Sequence, residues 1–184
     1  MASTAAKAGI GYTVANILIR GIGFLTLPIF SRVLDTYDFG IYNVFIAYDS
    51  ILFCIIGFAL HSSIKSANWE YPGEIDKYLS SISLIYLGNM ALLIIVVLVF
   101  NQQLASLVGL ETVVIVAMVL HSFGSAVVAL YNARISLQYS YVKYMVVATT
   151  SSIGNVALSL VLIFTLFNGQ RYLGRILGAT TVLL

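Results

Sequence analysis

Residues 9–33, GIGYTVANILIRGIGFLTLPIFSRV, form an apolar stretch of membrane length with an arginine near its centre. A helix rises about 1.5 Å per residue, so Arg20 would lie roughly 15 to 20 Å from either end of the stretch. A guanidinium keeps its proton, and at mid-bilayer depth it costs on the order of 3 kcal/mol unless it meets water, an anion or a partner. The sequence therefore predicts that Arg20 faces a group or a space able to receive its charge.

The face of the predicted helix that carries Arg20 is small and polar. Steps of three or four residues from Arg20 reach Asn16, Thr13 and Gly23, whereas the other faces are aliphatic or aromatic. Two interpretations stay open. The polar face packs on neighbouring helices with Arg20 bonded to a carboxylate or a backbone carbonyl, or it lines a water-filled cavity. Ionisable residues within membranes are more often functional, which favours the cavity.

The composition of the chain indicates a polytopic membrane protein. Its 184 residues are 60% hydrophobic and 9% charged, with a mean hydropathy of +1.00. A net charge of +2 is too small to indicate a nucleic-acid partner, and the single Cys54 allows no disulfide framework. His61 and His121 lie in different segments without a second ligand at helical spacing, so neither a metal site nor another cofactor is predicted.

The hydropathy pattern predicts an all-α transmembrane bundle with five full spans and a truncated sixth. Polar stretches separate the spans, most clearly residues 65–77, where Pro72-Gly73 marks a turn and Trp69 an interfacial anchor. The last apolar run has about half of the roughly 20 residues that a span needs. We therefore expect residues 1–184 to be the N-terminal lobe of a longer, two-lobed protein. The predicted spans are about 9–33, 41–64, 78–100, 112–133 and 144–167, followed by the incomplete 172–184.

Basic residues near the span ends predict a cytoplasmic N-terminus. In that orientation five basic residues lie inside, against three outside, and cytoplasmic loops carry the excess of lysine and arginine. The inside set is Lys7, Lys65, Lys77, Arg134 and Lys143, and the outside set is Arg32, Arg171 and Arg175.

Asp49 is a second ionisable residue that is costly within a span. Three roles stay open for it: the partner of Arg20, a proton or cation site, or a residue near the bilayer surface. In the second role it is the candidate for a coupling ion. With Arg20, Asn16 and Thr13 it makes up the predicted lining of the central cavity.

The sequence does not predict an enzyme. It has no paired-carboxylate motif, no nucleophile with a base at a known spacing and no glycine-rich phosphate loop. Residues 21–23, GIG, lie within a span and lack the strand-turn-helix context of a nucleotide site. A cationic cavity in a helix bundle suits holding or moving an anionic amphiphile instead.

The first span and its exit turn carry a family resemblance. Residues 7–48, KAGIGYTVANILIRGIGFLTLPIFSRVLDTYDFGIYNVFIAY, combine the mid-span Arg20, Pro28 near the outer end and a turn ending in DFGIYN. They resemble the opening of polysaccharide-biosynthesis flippases, the Wzx-type O-antigen and capsule transporters of the multidrug/oligosaccharidyl-lipid/polysaccharide superfamily. Residues 172–178, YLGRILG, resemble the start of that family's sixth helix.

The resemblance implies a two-lobed bundle around a central cavity in the bacterial inner membrane. Such proteins move undecaprenyl-pyrophosphate-linked oligosaccharide between leaflets by alternating access, and Arg20 would face the pyrophosphate, which a guanidinium binds bidentately. The implied partners are this lipid-linked oligosaccharide, membrane lipid, a glycan polymerase, other polysaccharide-assembly proteins and the second lobe. Two alternatives remain: a drug or cation antiporter that uses Asp49, and a structural fragment in which Arg20 pairs with Asp49.

Overall fold

The computed structural model describes the backbone of residues 2–184 and the side chains from Ala6 onward. Throughout this part of the chain the structure is helical and without strands. Five helices, α1, α2, α4, α6 and α7, are long and apolar enough to cross a membrane, which confirms the predicted all-α polytopic bundle. The helices are α1 (Ala2–Val33), α2 (Thr36–Gly57), α3 (Ile64–Glu70), α4 (Ile75–Val99), α5 (Asn101–Val108), α6 (Thr112–Leu137), α7 (Tyr141–Thr165) and α8 (Arg171–Leu183), with a 3-10 turn at Leu60–Ser63.

The connection between α1 and α2 is shorter than the gap between the predicted spans 9–33 and 41–64. Asp35 is the N-cap of α2, because its carboxylate accepts a 2.7 Å hydrogen bond from the backbone N–H of Asp38. This cap starts α2 at Thr36, ahead of the predicted residue 41. The helix then ends at Gly57, where Phe58 and Ala59 take left-handed backbone angles, so the predicted span to residue 64 was too long at that end.

Two stretches predicted as loops contain short helices. Residues 65–77 include most of α3, and residues 101–111 include α5. Gly109 ends α5 with a φ of 71°, and its N–H bonds to the carbonyl of Ala105. Glycine adopts this left-handed angle without steric cost, so it terminates the helix there.

The core of the bundle surrounds α6. In the most apolar part of α6, 56% of the residues are buried, against 11% in α1 and in α7. Helix α6 packs on α2, α4 and α8, whereas α1 packs mainly along α7. The stripe of α1 that meets α7 includes the buried Ala8, Ala15 and Phe30. Helix α1 is therefore an edge element, attached through α7.

Successive long helices run in opposite directions, which gives the bundle two ends. At the amino-terminal side, Tyr144 bonds to Asn16 and Arg134 pairs with Asp76 at 2.9 Å. At the far side, Arg171 donates a 2.7 Å hydrogen bond to the carbonyl of Val33.

Arg175 is buried, a feature that the predicted distribution of charges did not include. The sequence counts it as a basic residue of the outer side, within the incomplete span 172–184, and the structure places it one turn into α8, 8% exposed. Side chains of α7 and two aromatic rings contact its guanidinium in place of water. Arg32 and Arg171 are the remaining members of the predicted outside set.

Candidate functional site

Arg20 lies exposed on α1, near the middle of the helix. Among residues 6–184 it forms no ion pair and no side-chain hydrogen bond. The predicted pairing of Arg20 with Asp49 is therefore wrong, because Asp49 has partners on α6. Bonding of Arg20 to a backbone carbonyl is likewise not seen within the described side chains. The guanidinium remains available to a ligand or to water.

Asn16 and Thr13, the other predicted site residues on the polar face of α1, differ in their surroundings. The side-chain oxygen of Asn16 accepts a 2.9 Å hydrogen bond from the hydroxyl of Tyr144. The Thr13 hydroxyl donates to the carbonyl of Gly9 at 2.9 Å. Thr13 is therefore satisfied by its own helix, whereas Asn16 links α1 to α7.

A cavity of about 760 Å³ opens at the amino-terminal side, between α1 and the pair α3 and α6. We call it the amino-terminal cavity. Four aromatic residues and three asparagines contribute to its wall, and Lys65 is the one charged residue among those that line it. Of the predicted cavity residues, Asn16 lies in this wall, whereas Arg20, Thr13 and Asp49 do not. The lining residues are Ala8, Gly9, Tyr12, Asn16, Lys65, Asn68, Trp69, Asn132, Ser136, Leu137, Tyr139 and Tyr144.

Arg20 continues the line of α1 residues that border this cavity. Gly9 and Asn16 are in the wall, and Arg20 follows Asn16 by four residues on the same helical face. Four residues of helix advance about 6 Å. The guanidinium is thus rooted one turn deeper than the innermost wall residue of α1.

Asp49 lies near the middle of α2 in a buried polar cluster. Its Oδ1 is 2.9 Å from Nδ1 of His121 and also accepts a hydrogen bond from the hydroxyl of Ser122. The side chains of His121 and Asp49 are only 11% and 12% exposed. Asp49 therefore lies in the interior of the bundle, and its depth in the bilayer stays a prediction. A carboxylate beside an imidazole can share or exchange a proton, which leaves the coupling-ion role as a prediction.

Arg175 forms a second buried polar cluster, which sequence reasoning missed. Its guanidinium carbon lies 4.0 Å from the ring centroid of Phe30 and 4.7 Å from that of Tyr42. Its Nη1 donates to the hydroxyl of Ser159 at 2.9 Å and to the side-chain oxygen of Asn155. Among the described residues no carboxylate lies within 4 Å of it. Stacking on two aromatic faces stabilises such a cation away from water.

Both clusters had faint signals in the sequence. Asn155 and Ser159 are four residues apart and share a helical face, which would suit a polar partner on the next helix. His121 and Ser122 lie in an apolar segment without any local partner. The sequence does not show which helix packs next to each of these segments, so the two clusters could not be predicted from it.

The described chain holds no group of three His, Cys, Asp or Glu side chains that could bind a metal ion. Its polar groups are instead an exposed arginine, a tyrosine-rich cavity, and two buried clusters within long apolar helices. These features, together with five apolar helices long enough to cross a membrane, define a multi-pass membrane protein.

Residues 5–182 match the family described as polysaccharide biosynthesis protein, and the chain belongs to that family. No curated protein and no solved structure matches it. The predicted resemblance to polysaccharide-biosynthesis proteins is therefore confirmed. Members of the family are polysaccharide-related transporters or flippases rather than enzymes.

Proposed function

We propose that the protein moves undecaprenyl-pyrophosphate-linked oligosaccharide from the inner to the outer leaflet of the bacterial inner membrane. Family membership supports the polysaccharide part of this proposal. The finer part, a lipid-linked substrate for O-antigen or capsule assembly, is supported by the chemistry of α1. The polar, tyrosine-rich cavity beside α1 suits a hydrophilic headgroup, and the apolar exterior suits a polyprenyl chain in lipid.

The placement of Arg20 is the observation that carries the proposal. It is a fixed positive charge near the middle of a membrane-length helix, exposed, with no acid beside it in the described structure. Such a charge is costly in hydrocarbon unless an anion or water receives it. A pyrophosphate offers several acceptor oxygens in the geometry that a guanidinium binds bidentately. A substrate whose pyrophosphate meets Arg20 places its sugars next to the amino-terminal cavity.

We propose the orientation with the N-terminus in the cytoplasm. Five basic residues lie at the amino-terminal side, against Arg32 and Arg171 at the far side. The amino-terminal cavity then opens toward the cytoplasm, the side from which the substrate is loaded. The exposed polar stripe of α1 is the surface on which a second lobe would complete the central cavity. A glycan polymerase and other polysaccharide-assembly proteins would receive the product.

Asp49 is the proposed coupling site of the same transporter. It is a buried carboxylate at the middle of α2, paired with His121 on α6. Intramembrane Asp and His groups of this kind serve as proton relays in pumps and transporters. A drug or cation antiporter could use the same pair, but the family match favours a polysaccharide substrate.

The test is substitution of Arg20 in the natural gene of the producing bacterium. Arg20→Gln removes the charge and retains a polar side chain, so we expect a roughly 10- to 100-fold loss of surface polysaccharide, as for a lost charge-assisted hydrogen bond. Lipid-linked oligosaccharide should accumulate in the cytoplasmic leaflet. Arg32→Gln is the matched control, because Arg32 is an exposed arginine at the end of the same helix. Normal surface polysaccharide from an Arg20→Gln protein at native abundance would contradict the proposal.

A further inference from the structure

The amino-terminal cavity lies at the level where the membrane-length helices end. Its wall consists of the amino-terminal parts of α1 and α7, the end of α6 and the short helix α3, which lies between two spans. Every wall residue lies between two candidate spans or within about three helical turns of a span end. Phospholipid headgroups occupy this level, outside a hydrocarbon core of about 30 Å. The outer part of the cavity, next to α3, is therefore within reach of lipid headgroups.

Three lysines stand in or next to the wall of this outer part, and we call them the lysine rim. Lys65 lines the cavity, Lys7 adjoins Ala8 of the wall, and Lys143 adjoins Tyr144 of the wall. All three are exposed, and none of them forms an ion pair among the described residues. The rim therefore presents positive charge that no side chain of the described structure has taken up.

Three acids lie at the same side of the bundle, but they do not neutralise the lysine rim. Glu74 pairs with Lys77, and Asp76 pairs with Arg134, each at 2.9 Å. Glu70 lies on α3, about 140° around the helix from the rim lysine of α3, and it does not line the cavity. An anion at the rim therefore meets unpaired ammonium groups without an opposing carboxylate.

Trp69 adds an apolar contact beside these charges. It follows Lys65 by four residues on the same side of α3 and is 87% exposed, whereas Ile64 and Ala67 of the same helix are buried. Tryptophan is enriched at the headgroup level of membranes, and lysines next to a span attract anionic lipids. A soluble anion would need only the lysines. The exposed indole next to them favours a ligand that has both a phosphate and an apolar part.

We propose that the lysine rim and Trp69 bind the headgroup of an anionic phospholipid, with its phosphate at Lys65 and its acyl chains in the surrounding bilayer. An ammonium binds phosphate as a point charge, so three separate lysines can hold a headgroup without a fixed fork geometry. This lipid is a component of the membrane and not the transported molecule, whose pyrophosphate is proposed to lie at Arg20, deeper along α1. The lipid site therefore does not depend on the identity of the transported molecule.

The emission of Trp69 can measure this binding, because Trp69 is the single tryptophan of the chain. The full chain would be reconstituted in phosphatidylcholine bilayers that contain equal fractions of either brominated phosphatidylglycerol or brominated phosphatidylcholine, since bromine quenches a neighbouring indole. We expect the anionic lipid to be favoured at Trp69 at least fivefold. Lys65→Gln should lower that preference about fivefold, the effect of one lysine on an anionic lipid, and Lys65→Arg should retain it. Lys77→Gln is the matched control, because Lys77 is an exposed lysine of the same side that pairs with Glu74 and lies outside the cavity wall.

Three results would overturn the lipid site. The first is equal quenching of Trp69 by the two brominated lipids in the native protein. The second is an unchanged preference in Lys65→Gln, which should unfold at the native temperature because Lys65 is exposed. The third is loss of the preference when inorganic pyrophosphate is added at constant ionic strength, which would identify a site for free anions. None of these results bears on the proposed function, which the surface polysaccharide of Arg20→Gln tests separately.

Discussion

At the scale of single residues, Asp49 tests whether the buried polar cluster does more than hold two helices together. Asp49→Asn preserves shape and can still bond to Ser122, but it cannot take up and release a proton. We expect at least a tenfold loss of surface polysaccharide, with membrane abundance close to native. Asp76→Asn is the control, because Asp76 is an exposed acid whose pair with Arg134 lies at the surface, where such pairs contribute about 0 to 1 kcal/mol. Full transport by Asp49→Asn would exclude Asp49 as the coupling site.

Arg175 supports a prediction about stability. Arg175→Leu would leave the half-buried side-chain oxygen of Asn155 without its donor and remove the stacking on Phe30 and Tyr42. We expect a loss of about 1 to 3 kcal/mol in the free energy of unfolding. Arg175→Lys should restore little, because an ammonium lacks the planar fork.

Thermal unfolding of the purified protein measures this loss. Arg32→Leu serves as the control, since Arg32 is exposed at the end of α1. Equal unfolding temperatures for Arg175→Leu and the native protein would show that the stacked guanidinium does not stabilise the fold.

The helical periodicity of the sequence predicted which residues share a helix face, but it did not predict which residues contact each other between helices. The polar stripe of α1 with Arg20 and Asn16 follows from spacing along one helix, and Arg20 lies exposed on that stripe while Asn16 lines the cavity. The partner of Asp49 does not follow from spacing, because His121 is 72 positions away. Two costly charges in one sequence suggested an Arg20–Asp49 pair, but the packing of α2 on α6 gives Asp49 a nearer partner.

At the scale of secondary-structure elements, the contact between α7 and α8 depends on glycine. A Cβ at Gly178 would lie 2.5 Å from the Cα of Ser159, and one at Gly174 would lie 2.8 Å from the backbone nitrogen of Ile163. Small residues four apart allow such close approach of helices in membranes. Because the obstructing atoms are backbone, the helices themselves would have to move.

Gly178→Ala should therefore destabilise the bundle. We expect a loss of about 1 to 3 kcal/mol, the usual cost of overpacking. Gly88→Ala is the matched control, because Gly88 also lies in a long helix and a Cβ added there would meet no neighbouring atom within 4 Å. That change should be neutral or stabilising by up to about 1 kcal/mol, since alanine favours helix. Equal unfolding temperatures for Gly178→Ala and Gly88→Ala would show that the close contact between α7 and α8 does not limit the stability of the bundle.

Hydropathy located the long elements but not their ends or the short ones between them. Five long apolar helices follow from runs of about 20 apolar residues. The start of α2 depends on the Asp35 cap, and α3 and α5 are only 7 and 8 residues long. Helices of that length give no membrane-span signal in the hydropathy pattern, so loops were predicted for these residues.

At the scale of the whole molecule, the arrangement of the helices suits the proposed transport. Helix α1 attaches to the bundle through α7, and the amino-terminal cavity lies between α1 and α6. A ligand in the cavity would therefore contact α1, an edge helix with few contacts to the core of the bundle. Alternating access requires rearrangement of this kind around a substrate site.

The orientation of this arrangement in the membrane decides the direction of transport, and single cysteines can measure it. With Cys54, the one native cysteine, changed to serine, Asn68→Cys marks the amino-terminal side and Asn168→Cys marks the far side. Because basic residues favour the cytoplasm, we expect a membrane-impermeant maleimide to label only Asn168→Cys in intact spheroplasts. Asn68→Cys should react only after permeabilisation, and the variant with Cys54→Ser alone supplies the background. The reverse pattern would open the cavity away from the cytoplasm and contradict loading of the substrate from that side.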